Sequence, residues 1–309
     1  MKQPRIFFGS EEAGKIPFPE SDDKRAAAAT GRIDRSGGVH FAYVNQRGRH
    51  SMTRDCLVRG VHSGLAVRMA WSETTGMVNA GITTHDADPA AAAALAGALG
   101  AAAVATVMLD ENEKYSIRCD YPGSLRGLIV EASADGAIRG FPLAVHPLAG
   151  DPGDPDAVFG SEDGQVSVTR SAEGKIISSG QSRAPLADPA GDLAFFFCVS
   201  DQIETEIRTF VSWQPLPETP VRRMAVLMLQ ALPGCNLEIF SRLRSALHSP
   251  RIADCRQTLD PAQLPEVHLK TVLAELAQCA GLPEFRPDEC VLSRGAVPRW
   301  RCRCSRESM

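Results

Sequence analysis

The chain has 309 residues, 44% of them hydrophobic, which is enough for two ordinary domains and a sizeable core and excludes a wholly disordered chain. Thirty-three basic against thirty-seven acidic side chains leave a net charge of -4, too small for a protein held on nucleic acid or lipid by its overall field. Nine cysteines, an odd number without framework spacing in a chain of this size, point to a reducing compartment. The N-terminus lacks a charged-then-apolar leader, and Glu11, Glu12, Glu20, Asp22 and Asp23 argue against an acid-poor transit peptide, so a cytoplasmic location is expected.

In chain order, residues 1–52 mix Gly, Ser, Arg and acidic side chains and read as a loosely structured extension, with only Val39 to Val44 strand-like. From Cys56 to Trp71 apolar residues alternate irregularly with Arg and His and give no clear element. Asp88-Pro89 is a helix start, an N-cap followed by a proline suited to the first turn. The uncharged stretch Pro89 to Leu109 is long enough to cross a bilayer, but eleven of its residues are alanine, so a buried helix packed through small residues is the expected form and no membrane partner is expected.

Short β-type runs follow at 115–119, 125–131, 137–143, 166–170 and 175–178. They are separated by Tyr-Pro-Gly, Ala-Asp-Gly, the Pro/Asp/Gly loop 147–156 and Glu-Gly, turn chemistry that joins antiparallel neighbours. Phe195, Val199, Ile203, Ile207 and Phe210 recur at intervals of three and four and predict one helix over 195–213. Ala225 to Leu232 reads as a further apolar strand stopped by Pro233-Gly234. The expected class is therefore α+β, a mainly antiparallel sheet domain with packed helices over 53–235. From 236 to 298 the character changes to amphipathic helices separated by proline, a helical linker. Ile239, Phe240, Leu243 and Leu247 form one apolar stripe and Leu269, Val272, Leu273 and Leu276 another. These stripes are either pieces of a core or surfaces that open at low free energy to bind other chains.

No phosphate-binding glycine loop, His-Glu-x-x-His or Gly-x-Ser-x-Gly motif occurs, and no enzyme is expected. The aspartate of His85-Asp86 is accounted for by capping in the turn before the alanine-rich helix rather than by a catalytic dyad. Cys302 and Cys304 are spaced to reach one soft cation as thiolates or to approach each other as a strained disulfide, and neighbouring arginines favour the thiolate forms. A structural zinc needs four ligands, and Cys279 and Cys290 are the candidates to complete such a set, although Cys279 continues an apolar helical stretch. The other cysteines, Cys56, Cys119, Cys198, Cys235 and Cys255, read as small packing residues.

The segment Trp300-Arg-Cys-Arg-Cys-Ser-Arg-Glu307 and the run Ala225 to Asn236 with its Leu-Pro-Gly resemble the heat-shock protein 33, or 33 kDa chaperonin, family. Gly123 to Glu131, Gly136 to Phe141 and Ser200-Asp-Gln-Ile203 support that resemblance, which runs from about Cys56 to Glu307. It implies a redox-regulated holdase, independent of ATP, that binds unfolded client proteins under oxidative stress, with a possible homodimer in the oxidised form. It also implies a C-terminal zinc domain with four cysteine ligands, of which the first pair maps onto Cys302 and Cys304 as metal ligands and redox switch. The family's second pair has no counterpart, so residues 299–309 are expected to be the truncated start of that domain. The two linker stripes are the expected client-binding residues. A basic-tail nucleic-acid or zinc-binding module on a globular support is the alternative.

Overall fold

The computed structural model describes residues 55–147 and 154–301; the extension expected over 1–52 and the pair Cys302 and Cys304 lie outside the described residues. The chain opens with a hairpin of β1 (Cys56–His62) and β2 (Val67–Glu73), followed by α1 (Thr75–His85) and α2 (Pro89–Ala105). Next come β3 (Glu113–Asp120), β4 (Gly127–Ser133), β5 (Ala137–Pro142), the short α3 (Pro155–Phe159), β6 (Gly164–Ala172) and β7 (Lys175–Ala184). Helix α4 (Pro189–Val199) leads into β8 (Thr205–Trp213) and β9 (Val221–Ala231). Three helices follow, α5 (Leu237–Leu247), α6 (Pro250–Thr258) and α7 (Pro265–Ala280), and the described chain closes with β10 (Cys290–Arg294) and β11 (Arg299–Trp300).

The strands form two sheets rather than the one sheet expected. The first has the order β10-β1-β2-β9-β8 with every pair antiparallel. The second has the order β11-β5-β4-β3-β6-β7, antiparallel except where β11 runs parallel to β5. This is the α+β class expected from the sequence.

Helix α2 explains the alanines. Asp88 caps it by accepting from Ala91 N, and 15 of its residues, Ala90 to Ala92 and Ala94 to Ala105, are buried. Its side chains share one apolar cluster with Met224, Val226 and Met228 of the first sheet and with Ile117, Val130 and Ile138 of the second. A helix enclosed between two sheets on opposite sides has no polar face to spare, and small side chains let both sheets come close. Helix and following turn, Pro89–Met108, are long and apolar enough to span a bilayer, yet 83% of the span is buried inside the protein.

The expected helix over 195–213 is corrected. The helix begins at Pro189, capped by Asp188 through the amides of Ala190 and Gly191, and it ends at Val199. Gln202 then takes a left-handed φ of 57, and Thr205 to Trp213 is a strand paired with β9. Of that apolar series only Ile207 and Phe210 are buried, both from a strand, while on the helix the buried rings are those of Phe196 and Phe197. The β-branched alternation Thr205, Ile207, Thr209, Val211 outweighs the three-and-four spacing once the chain has a sheet edge to join.

Residues 236–298 follow the turn after β9. Gly234 takes a φ of +90 in the turn after β9, and Asn236 caps α5 by accepting from the amides of Glu238 and Ile239. The segment packs on the first sheet through α5, α6 and α7 and ends by adding β10 to that sheet's edge, with Val58 opposite Arg294 and His62 opposite Cys290.

Candidate functional site

Strand β9 is apolar without alternation because both its faces are covered. Met224, Val226 and Met228 point toward α2, whereas Ala225, Leu227 and Leu229 point to the other face. On that second face Val58, Val67, Met69, Trp71 and Phe210 complete an apolar floor. Polyglycine-like or polar loops could not satisfy such a floor; it needs apolar partners.

The partners are the two stripes. Phe240, Leu243 and Leu247 of α5 and Leu269, Val272, Leu273 and Leu276 of α7 are all buried in this second cluster, with Ile239 half-buried at its margin. Ile252 and Leu259 from α6 and Leu282 and Phe285 beyond α7 close it. The fold thus brings every expected client-binding residue together, facing the sheet and covered. The floor they sit on has one signal in the sequence, the uninterrupted apolar run of β9, since a strand buried on both faces loses its alternation.

Polar contacts tie this helical cover to the sheet at separate points. His268 of α7 is 3% exposed, with Nδ1 2.7 Å from Glu73 Oε1 and Nε2 2.8 Å from the carbonyl oxygen of Asp260. Both ring nitrogens face acceptors, so both must donate, and the ring is held as an imidazolium. Accordingly the hydrogen bond to Glu73 holds the His268 pKa above its ordinary value. Burial alone would raise Glu73, but His268 and Arg223 hold its carboxyl below the usual value. His248, just past α5, donates from Nε2 to Glu206 Oε1 of β8 at 2.8 Å, and Arg208 lies 3.3 Å from its Nδ1. His62 of β1 lies under the cover's far end, stacked on Phe285 with ring centroids 5.1 Å apart and 3.6 Å from Glu289. Arg244 of α5 pairs with Glu204 at 3.0 Å.

The chain leading to the expected thiol pair is stitched to the second sheet. Arg299 N donates to Gly136 O and Arg301 N to Ile138 O, each at 2.9 Å, so β11 runs beside β5. Arg299 also pairs with Asp135, and the Trp300 ring lies against Gly81 of α1 and 5.9 Å from the His85 ring. Asp86 is the left-handed C-cap of α1, and burial lowers the His85 pKa, so this pair belongs to a helix end.

Cys279 and Cys290, the candidates for completing a metal site, are not brought together. Cys279 Sγ lies 3.8 Å from Ser249 Oγ and 3.7 Å from Glu275 Oε1 on the outer side of α7. Cys290 is buried in the edge strand, its Sγ 4.0 Å from Arg286 O, and burial pushes its thiol up to about 11. Among the described residues no group of three or more His, Cys, Asp or Glu side chains is arranged to hold a metal ion.

Together the fold and this region define an α+β protein that stores an apolar sheet face under a helical cover. Comparison with known proteins places it more narrowly, because the Hsp33 protein family model matches residues 55–309, and the chain belongs to that family. The 33 kDa chaperonin of Symbiobacterium thermophilum is 30% identical over 258 residues, covering 82% of this chain and 81% of the relative. The 33 kDa chaperonin of Thermus thermophilus is 30% identical over 275 residues, covering 81% of this chain and 72% of the relative. A crystal structure of a 33 kDa chaperonin, or heat shock protein 33 homolog, from Thermotoga maritima matches with a TM-score of 0.65 over 82% of each chain at 20% identity, a likeness of fold.

Proposed function

We propose that the chain is a chaperone of the holdase type, independent of ATP, which binds unfolded proteins through the apolar surface now enclosed between the first sheet and α5 to α7. The observation that carries this reading is the cover itself: three separate helices, each broken from the next at Pro250 or Pro265, jointly hide one continuous apolar floor. Separate helices interrupted at proline open at lower free energy than a sheet, and opening would expose apolar area on both the floor and the lid. Unfolded chains, rich in exposed apolar groups, are the partners such a surface fits; nucleic acid and membrane are not needed as partners.

The regulation we propose is oxidative. Cys302 and Cys304 follow directly on β11, whose ladder and Trp300 packing anchor the chain to the second sheet, and β10 lies eight residues before Cys302 on the first. A change of state at the thiols therefore acts close to the strand that secures the far end of the cover. Zinc in the complete family site would be bound by these two thiolates and two further ligands; among the described residues no group of three or more His, Cys, Asp or Glu side chains is arranged to hold a metal ion. A cytoplasmic setting fits thiols kept reduced until stress, and dimerisation through the exposed face is the expected companion of oxidation.

Light scattering from a denaturing client tests the switch. Peroxide-treated protein is expected to suppress aggregation more strongly than the reduced form. Equal suppression by both forms would remove the redox control while leaving the client surface standing.

A further inference from the structure

We infer that Arg256 and Arg223 hold a small inorganic anion of about chloride size where α6 meets the first sheet. Arg256 lies on α6 and is 3% exposed, and its Nε and Nη2 are buried without a hydrogen-bond partner. The Nε of Arg223 on β9 is likewise buried and unpartnered. Arg223 is fixed at the end of α6, where Nη1 donates to Leu259 O at 2.8 Å and Nη2 lies 3.4 Å from Glu73 Oε1. Its Nε–H is left to donate to a ligand.

The charges in this place do not balance. Arg223, Arg256 and the His268 imidazolium face one carboxylate, that of Glu73, whose Oε1 is already shared between His268 and Arg223. Asp260 contributes its backbone oxygen to His268, while its carboxylate accepts from Ala262 N. Burial and the neighbouring Arg223 lower Arg256 to about 10, which leaves it charged at neutral pH. A buried cation with open donors calls for a partner that both accepts hydrogen bonds and carries negative charge. Water does the first only. A compact anion does both, and the enclosure of these N–H edges in a packed interface favours a single-atom ion over an organic acid.

Since Arg256 stands on the cover and Arg223 on the sheet, the ion binds only when α6 is docked, and it holds the cover shut by mass action. Limited proteolysis within α5 to α7, in sodium chloride against sodium gluconate at equal ionic strength, reads this directly. At chloride near ten times its dissociation constant, cleavage through the opened cover is expected to slow about tenfold. Arg256→Met is expected to remove the difference between the two salts. Crystals of the unaltered protein soaked in bromide provide a measurement that does not depend on the variant folding or on client binding, and an anomalous peak is expected between the two guanidinium groups. Equal cleavage in chloride and gluconate, or bromide-soaked crystals without that peak, would overturn the site.

Discussion

At the scale of single residues, the pair His268 and Glu73 carries the most specific polar contact between cover and sheet. Removing one partner of a buried ion pair leaves an uncompensated charge, so His268→Ala is expected to cost about 3–5 kcal/mol in urea denaturation. The pair also sets a pH dependence. The folded pKa of His268 is raised above 6.5, so its contribution is complete below that value and is lost as pH rises through the folded pKa. The folded pKa of Glu73 is lowered below 4.5, so its contribution is present above that value and is lost as pH falls through the lower folded one. Cover stability is therefore expected to be greatest between these limits and to decline on the alkaline side, and His268→Ala is expected to flatten that alkaline decline. None of this was legible beforehand: a lone histidine on an amphipathic helix looks like any other, and its glutamate lies 195 residues away in sequence.

At the scale of elements, what was legible followed local chemistry. The Asp88-Pro89 start of α2, the turn-separated strands β3 to β7, strand β9 and the stripes of α5 and α7 all stand where periodicity and turn residues put them. Asp188-Pro189 carries the same start chemistry for α4, and the apolar series runs on past the end of that helix, through Gln202, into β8. The edge strands β10 and β11 are hard to read because their partners are remote in sequence: β10 meets β1 at separations from 228 positions (His62 and Cys290) to 236 (Val58 and Arg294). Packing about α2 is tight enough to predict from geometry. A Cβ added at Gly100 would lie 2.5 Å from Met224 Cε and 2.7 Å from Val226 Cγ2. Although alanine favours helix, Gly100→Ala is expected to destabilise by about 1–3 kcal/mol in urea, through overpacking against the first sheet.

At the scale of the whole molecule, the first sheet is an apolar layer with two covers of different kinds. On one side α2 is a single helix locked between two sheets; on the other, three separate helices are held by side-chain packing and a few charged contacts. The sequence showed the stripes without showing what they cover, because amphipathic periodicity reveals that a face is apolar and not which surface meets it. The family resemblance supplied the client-binding role, and the geometry supplies the floor on which a lid can close. If that floor is the client surface, loosening the lid alone should activate the protein without oxidant. Leu273→Ala removes a fully buried side chain from the lid at an expected cost of about 2–5 kcal/mol. Light scattering of a denaturing client, with reduced Leu273→Ala and reduced unaltered protein at equal concentration, tests this most directly. Stronger suppression of aggregation by the variant is the predicted result, and suppression no greater than that of the unaltered protein would contradict the account.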